Sequence, residues 1–152
     1  MTSVAQILKS KTESGPASER PVITIGADAS VYEAVKMMAE HHIGALVVLE
    51  GTAITGIVTE RDYARKIVLM DRSSKTTRVS EIMTRQVRYV TPGDSTEQCM
   101  ALMTEHRMRH LPVLESERLI GMISIGDLVK AIISDQQFTI QQLEHYITGV
   151  HS

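Results

Sequence analysis

Residues 30–62, SVYEAVKMMAEHHIGALVVLEGTAITGIVTERD, return 65 positions later as residues 95–127, STEQCMALMTEHRMRHLPVLESERLIGMISIGD, with no insertion or deletion. Ten of the 33 positions are identical, among them Ser30/Ser95, Leu46/Leu111, Gly56/Gly121 and Asp62/Asp127. Many of the others keep their character, as Ile57/Met122 and Thr59/Ser124 do. Self-similarity of this kind marks a duplicated structural unit. Working outward, Val4-Ala5-Gln6-Ile7-Leu8 resembles Val79-Ser80-Glu81-Ile82-Met83 at an offset of 75, so the first copy holds about ten extra residues upstream. That insertion, Lys11 to Pro21, is rich in Ser, Glu, Pro and Gly and reads as a surface loop.

Both copies carry the same element order. Ser30 with Glu33, and Ser95 with Gln98, have the spacing of a capping box that starts a helix. Val31, Ala34, Val35 and Met38 follow the first at helical spacing; Cys99, Leu102, Met103 and His106 follow the second. Ala45–Leu49 and Leu111–Leu114 read as buried strands, Ile54–Thr59 and Leu119–Ser124 as their hairpin partners, and Asp62–Met70 and Asp127–Ser134 as closing helices. Short strands at Val22–Ile25 and Val87–Val90 precede the first helices. The order is β-α-β-β-α, twice. Neither copy of about 60 residues buries much alone. The expected fold is α/β (α+β), the two repeats packing through their sheets about a pseudo-two-fold axis. The expected division is residues 1–72, 73–134 and a tail at 135–152.

Composition narrows the function. The net charge is −2, with 16 basic against 18 acidic residues, and only 3% of residues are aromatic, so nucleic-acid binding is not expected. A single cysteine, Cys99, excludes an intrachain disulfide and suits a reducing compartment. Neither a signal peptide nor an apolar run of membrane-spanning length is visible, so a cytoplasmic protein with no membrane partner is expected. His41 and His42 are adjacent and point different ways on a helix, so they do not chelate as an i, i+4 pair would; no metal site is expected. Cys99 lies at an apolar helix position and reads as core, not nucleophile. No Gly-x-Gly-x-x-Gly fingerprint occurs.

Thr55-Gly56-Ile57-Val58-Thr59-Glu60-Arg61-Asp62 and Ile120-Gly121-Met122-Ile123-Ser124-Ile125-Gly126-Asp127 share the pattern apolar-Gly-apolar-apolar-(Ser/Thr)-x-x-Asp. With His110-Leu111-Pro112-Val113 and Glu81-Ile82-Met83-Thr84, they give the chain a resemblance to stand-alone tandem CBS-domain proteins, or Bateman modules, over about residues 4–134. The resemblance implies a regulatory module, not an enzyme. It would bind an adenine nucleotide (AMP, ADP, ATP, NAD or S-adenosylmethionine) in the cleft between two CBS domains, as ligand and not as catalytic cofactor. It also implies a homodimer and a protein regulated in trans.

The residues themselves leave two readings side by side. Asp62 and Asp127, at helix starts just beyond strands, suit a ribose diol through charge-assisted bonds worth roughly 1.5–3 kcal/mol each; they equally suit a helix N-terminus as macrodipole acids. Thr59 and Ser124 can cap those helices or bond ribose and phosphate. Gly44-Ala45 and His110-Leu111, at the starts of core strands, suit an adenine slot. Pro112 either leaves backbone open there or is a plain edge-strand proline. Arg61, Arg85 and Arg109 are candidates for phosphate or solvated surface charges. Gly44 and Ala45 stand where the second copy has Arg109 and His110, so the two sites differ chemically. Gly56 and Gly121, inside strands, mark a bulge or a close approach of ligand or packing.

Beyond the repeats, Ile140, Leu143 and Ile147 form an amphipathic helix with Gly149 as its stop. That helix is expected to cover the dimer edge, to dock on the partner subunit, or to be an extension that does neither. The alternative to nucleotide sensing is a structural interaction module whose clefts stay empty.

Overall fold

The structure, a computed structural model, describes residues 2–13 and 22–148. The elements run α1 (Val4–Glu13), β1 (Thr24–Gly26), α2 (Val31–His41), β2 (Ala45–Glu50), β3 (Ala53–Thr59), α3 (Glu60–Tyr63) continuing as a π turn over Ala64–Val68, α4 (Val79–Ile82), α5 (Thr96–His106), β4 (His110–Glu115), β5 (Arg118–Ser124) and α6 (Ile125–Thr148). The caps form as the spacing requires. Ser30 Oγ accepts from the Glu33 amide at 3.1 Å, and Ser95 and Gln98 bond each other's amides at 2.7 and 3.2 Å. Helices α2 and α5 stop at equivalent residues, His42 and Arg107, both left-handed at φ 53° and 52°.

Two compact units result. Ile23–Arg88 form one, around a sheet ordered β1-β2-β3 in which β1 is parallel and β3 antiparallel to β2. Its core is aliphatic: Val31, Leu46, Val48, Val58, Val79 and Ile82 are essentially inaccessible. The other unit joins the N-terminal segment to the chain from Tyr89 onward. It is built on the antiparallel pair β4-β5 and a core of Val4, Cys99, Leu111, Val113, Ile123 and Leu128.

The units therefore run differently from the expected division at 72/73. The helix preceding the second repeat, α4, packs in the unit built on the first, and α1 packs in the unit built on the second. The same bonds dock both. The Val79 amide donates to the Ala29 carbonyl at 2.8 Å, and the Val4 amide to the Asp94 carbonyl at 2.9 Å. Val31 and Thr96 return amides to the carbonyls of Thr77 and Thr2. The two strand glycines explain themselves here. A Cβ on Gly56 would lie 2.6 Å from Met83 Sδ, and one on Gly121 would lie 2.6 Å from Leu8 Cδ2. Met83 and Leu8 are repeat equivalents, so each docking segment packs onto a strand that only glycine leaves flat enough. The register also shifts beside each glycine, between Val48 and Leu49 and between Val113 and Leu114, so the bulge reading holds as well.

Three further expectations are corrected. The strand expected at 87–90 shrinks to a single parallel bridge, Val90 to Val113. The Val90 amide reaches the Pro112 carbonyl and the Leu114 amide reaches the Val90 carbonyl, but Pro112 has no amide with which to continue the ladder. Its counterpart Val47 has one, and there β1 forms. Lys11, expected to open a loop, is helical because α1 runs on to Glu13; the rest of that loop, residues 14–21, lies outside the described residues. The second closing helix does not stop at Ser134. No Gly or Pro occurs between Asp127 and Thr148, so closing helix and tail are one 24-residue helix. Gly149 lies outside the described residues.

Candidate functional site

In the first repeat, the β3–α3 junction is a closed capping box. Asp62 Oδ2 accepts from the Thr59 amide at 3.0 Å and from Thr59 Oγ1 at 3.2 Å, while the Asp62 amide donates to Thr59 Oγ1 at 3.1 Å. Asp62 Oδ1 takes Lys66 Nζ at 3.1 Å and Thr84 Oγ1 at 3.4 Å. Lys66, one helical turn on, also donates to the Ile82 carbonyl at 2.7 Å. Asp62 is only 8% exposed, so a carboxylate there needs these partners. Gly44 and Ala45 lie alongside: the Gly44 carbonyl accepts from the Glu60 amide at 3.1 Å, and Ala45 pairs with Thr59 across the sheet. Arg85 follows Thr84 and donates to the Ser80 carbonyl at 3.3 Å.

The second repeat builds the same junction with a different balance. Asp127 Oδ2 accepts from the Ser124 amide at 2.8 Å, and Ser124 Oγ from the Asp127 amide at 3.1 Å. Lys11 Nζ, arriving from α1, binds Asp127 Oδ2 at 3.0 Å and the Met122 carbonyl at 2.8 Å. Both of these contacts fall on Oδ2. Asp127 Oδ1 accepts from no other described residue. Arg109 and His110 stand beside it: the Ile125 amide donates to the Arg109 carbonyl at 2.9 Å, and His110 pairs with Ser124.

Gly44, Ala45, Thr59, Asp62 and Arg85 are therefore gathered in one unit, and Arg109, His110, Ser124 and Asp127 in the other. Arg61 is exposed beside Asp62. Leu111 is the residue that departs from its expected place. It is fully buried in the core and packs with Val113 and Ile123, so its side chain supports the strand. Pro112 is buried too, and its part is the interrupted ladder. The sequence reading missed the two lysines that neutralise the aspartates. Lys66 was visible as an i, i+4 partner of Asp62; Lys11, 116 residues from Asp127, had no local signal.

Cys99 is buried, and burial with Asp94 nearby pushes its thiol up to about 11, which suits an inert core thiol. Among the described residues no cluster of three His, Cys, Asp or Glu is arranged to hold a metal. Nor is any described helix long and apolar enough to cross a membrane.

The family model described as CBS domain matches residues 17–69 and 79–134. The chain belongs to the CBS-domain family. A protein with CBS domains from Burkholderia ambifaria MC40-6 is 65% identical and superposes with a TM-score of 0.82 over 91% of this chain and 99% of its own. The CBS domain-containing protein CBSX3, mitochondrial, of Arabidopsis thaliana is 44% identical over 97% of this chain and 73% of its own length. The CBS domain pair of protein MJ0100, solved with 5′-methylthioadenosine and S-adenosyl-L-methionine, is 23% identical with a TM-score of 0.74 over 89% of this chain and 98% of its own, a likeness of fold.

Proposed function

We propose that this CBS-domain protein is a regulatory sensor that binds an adenosine-containing ligand (AMP, ADP, ATP, NAD or a related nucleoside) between its two repeats, in a reducing compartment such as the cytoplasm. The reading includes closure of the repeats about a pseudo-two-fold axis, assembly as a homodimer and a protein partner regulated in trans. It assigns no catalytic step.

The observation that carries it is Asp127. A diol needs a carboxylate held in place with acceptor capacity to spare, and Asp127 is fixed through Oδ2 while Oδ1 accepts from no other described residue. Lys11 Nζ holds the carboxylate at 3.0 Å, and Arg109 and His110 at the adjoining strand start supply polar atoms for phosphate or base. The adenosine ligands of the MJ0100 domain pair support the ligand class. Asp62, with both oxygens engaged, is the weaker ribose partner.

A thermal-shift panel of AMP, ADP, ATP, NAD and S-adenosylmethionine tests the reading. At 100 times its dissociation constant a true ligand adds about 2.7 kcal/mol, or a rise of roughly 5–10 °C for a chain of this size. No rise with any of them favours the module whose clefts stay empty. Conversion of the nucleotide during incubation would show an enzyme instead.

A further inference from the structure

Helix α6 carries two apolar rows at strict heptad spacing. Ile133, Ile140 and Ile147 form one, and Val129, Gln136 and Leu143 the other, separated alternately by four and three residues. The apolar members are between 45% and 80% exposed, so the core of this unit does not use the stripe. Leu128 and Ala131, on another face of α6, do meet that core. Thr2 Oγ1 also bonds both oxygens of Asp135, at 2.8 and 2.9 Å, tying α6 to the N-terminal segment. The helix is thus already formed and anchored, and a second helix meeting it pays no nucleation cost.

We propose that α6 pairs with α6 of a second copy of this chain as an antiparallel two-helix coiled coil about 27 Å long. The flanking charges select that direction. On the Lys130 side of the stripe lie Lys130, Gln137 and Glu144. Antiparallel pairing about a two-fold axis brings Lys130 against Glu144 of the partner subunit, Gln137 against itself, and Ile133 against Leu143 of the partner subunit. Every contact is then repeated by symmetry. Parallel pairing would set Lys130 beside Ile125 of the partner subunit and Glu144 beside Thr139 of the partner subunit, so neither would face an opposite charge across the seam. Gln136, the one polar residue in the stripe, fixes the register at some cost in stability.

The proposal rests on the homodimer of the reading above and not on its nucleotide. Sedimentation equilibrium of the full chain tests it, with circular dichroism to follow folding. The parent should sediment at twice 16.8 kDa. Ile140→Glu alters only an exposed residue, so it should stay folded and sediment as the monomer, its dimer dissociation constant raised at least about a hundredfold by the charge placed in the seam. Lys130→Glu and Glu144→Lys should each weaken the dimer several-fold, and the double exchange Lys130→Glu/Glu144→Lys should restore it. A dimer indifferent to Ile140→Glu overturns the helix pairing while leaving a dimer. Failure of the double exchange to restore assembly overturns the antiparallel direction, and a monomeric parent sinks both the pairing and the homodimer.

Discussion

In the unit built on the first repeat the chain leaves α4 at Met83 and lays Thr84 against β3, where Thr84 and Ile57 exchange both backbone bonds at 2.8 and 3.0 Å. In the unit built on the second the equivalent chain stays helical past Leu8, and the Met122 carbonyl, counterpart of Ile57, is met by the side chain of Lys11 at 2.8 Å. One duplicated frame thus closes the same place with a backbone segment in one half and a lysine in the other. Local propensity goes the same way: Met83-Thr84 brings a β-branched residue where Leu8-Lys9 continues a helix former. The consequence falls on the acids. Asp62 is satisfied from both sides, whereas Asp127 meets its lysine and its cap on one oxygen only.

The sharpest way to break this comparison is at the glycines. A Cβ on Gly56 would meet Met83 and, at 3.0 Å, the Thr84 backbone carbonyl, which cannot swing aside; the three atoms nearest to one on Gly121 all belong to the flexible Leu8 side chain. Gly56→Ala should cost about 2–3 kcal/mol in urea unfolding and Gly121→Ala about 1 kcal/mol. Equal losses would mean the two docking segments are held alike. Next comes ligand affinity. Asp127→Ala should weaken nucleotide binding about tenfold or more and Asp62→Asn less than that, read by calorimetry; the reverse order would put the stronger ribose contact in the first repeat.

Pro112→Val should return the missing ladder amide and extend the bridge at Val90 toward a strand like β1. Stability should change by less than about 0.5 kcal/mol, but the amide of residue 112 should exchange slowly with solvent. Fast exchange there would show that something other than proline ends the pairing. Smallest is the effect of Glu81, which bonds the Arg78 amide at 2.7 Å and Arg72 Nη2 at 2.8 Å. The Arg78 backbone bond, then Arg72, hold its carboxyl below the usual carboxylate range. A group with a lowered folded pKa stabilises above its unfolded pKa and loses that contribution as pH falls. The melting difference between the parent and Glu81→Gln should therefore be present at neutral pH, begin to shrink as the pH falls toward about 4, and be gone once the pH is below the lowered folded value. A difference that persisted in acid would be packing and not charge.

Much of this was legible in the residues. The repeat, the capping boxes and the hairpins follow from spacing, because local hydrogen bonds and alternating burial leave a periodic trace. The exchange of α1 and α4 between units was not, since two copies of one pattern do not say which copy each segment docks on. Val87–Val90 reads as a strand on its own, and only its neighbour Pro112 shows why it is not one. Of the site, the aspartates and their hydroxyl caps were visible, being three residues apart in sequence. Lys11 is hidden by its distance along the chain, and the burial of Leu111 is not legible because a strand start can face either the core or a ligand.

Ligand binding is expected to turn on Asp127, whose Oδ1 accepts from no other described residue, gripping a sugar. Calorimetric titration of the parent and of Asp127→Ala with AMP, ATP, NAD and S-adenosylmethionine, with GMP as control, asks this directly. At least one adenosine ligand should bind the parent with a micromolar to millimolar dissociation constant, about −8 to −4 kcal/mol. GMP should give no comparable heat, and the variant a clear loss. Flat titrations with every adenosine ligand, or a variant that binds as tightly as the parent, would contradict this.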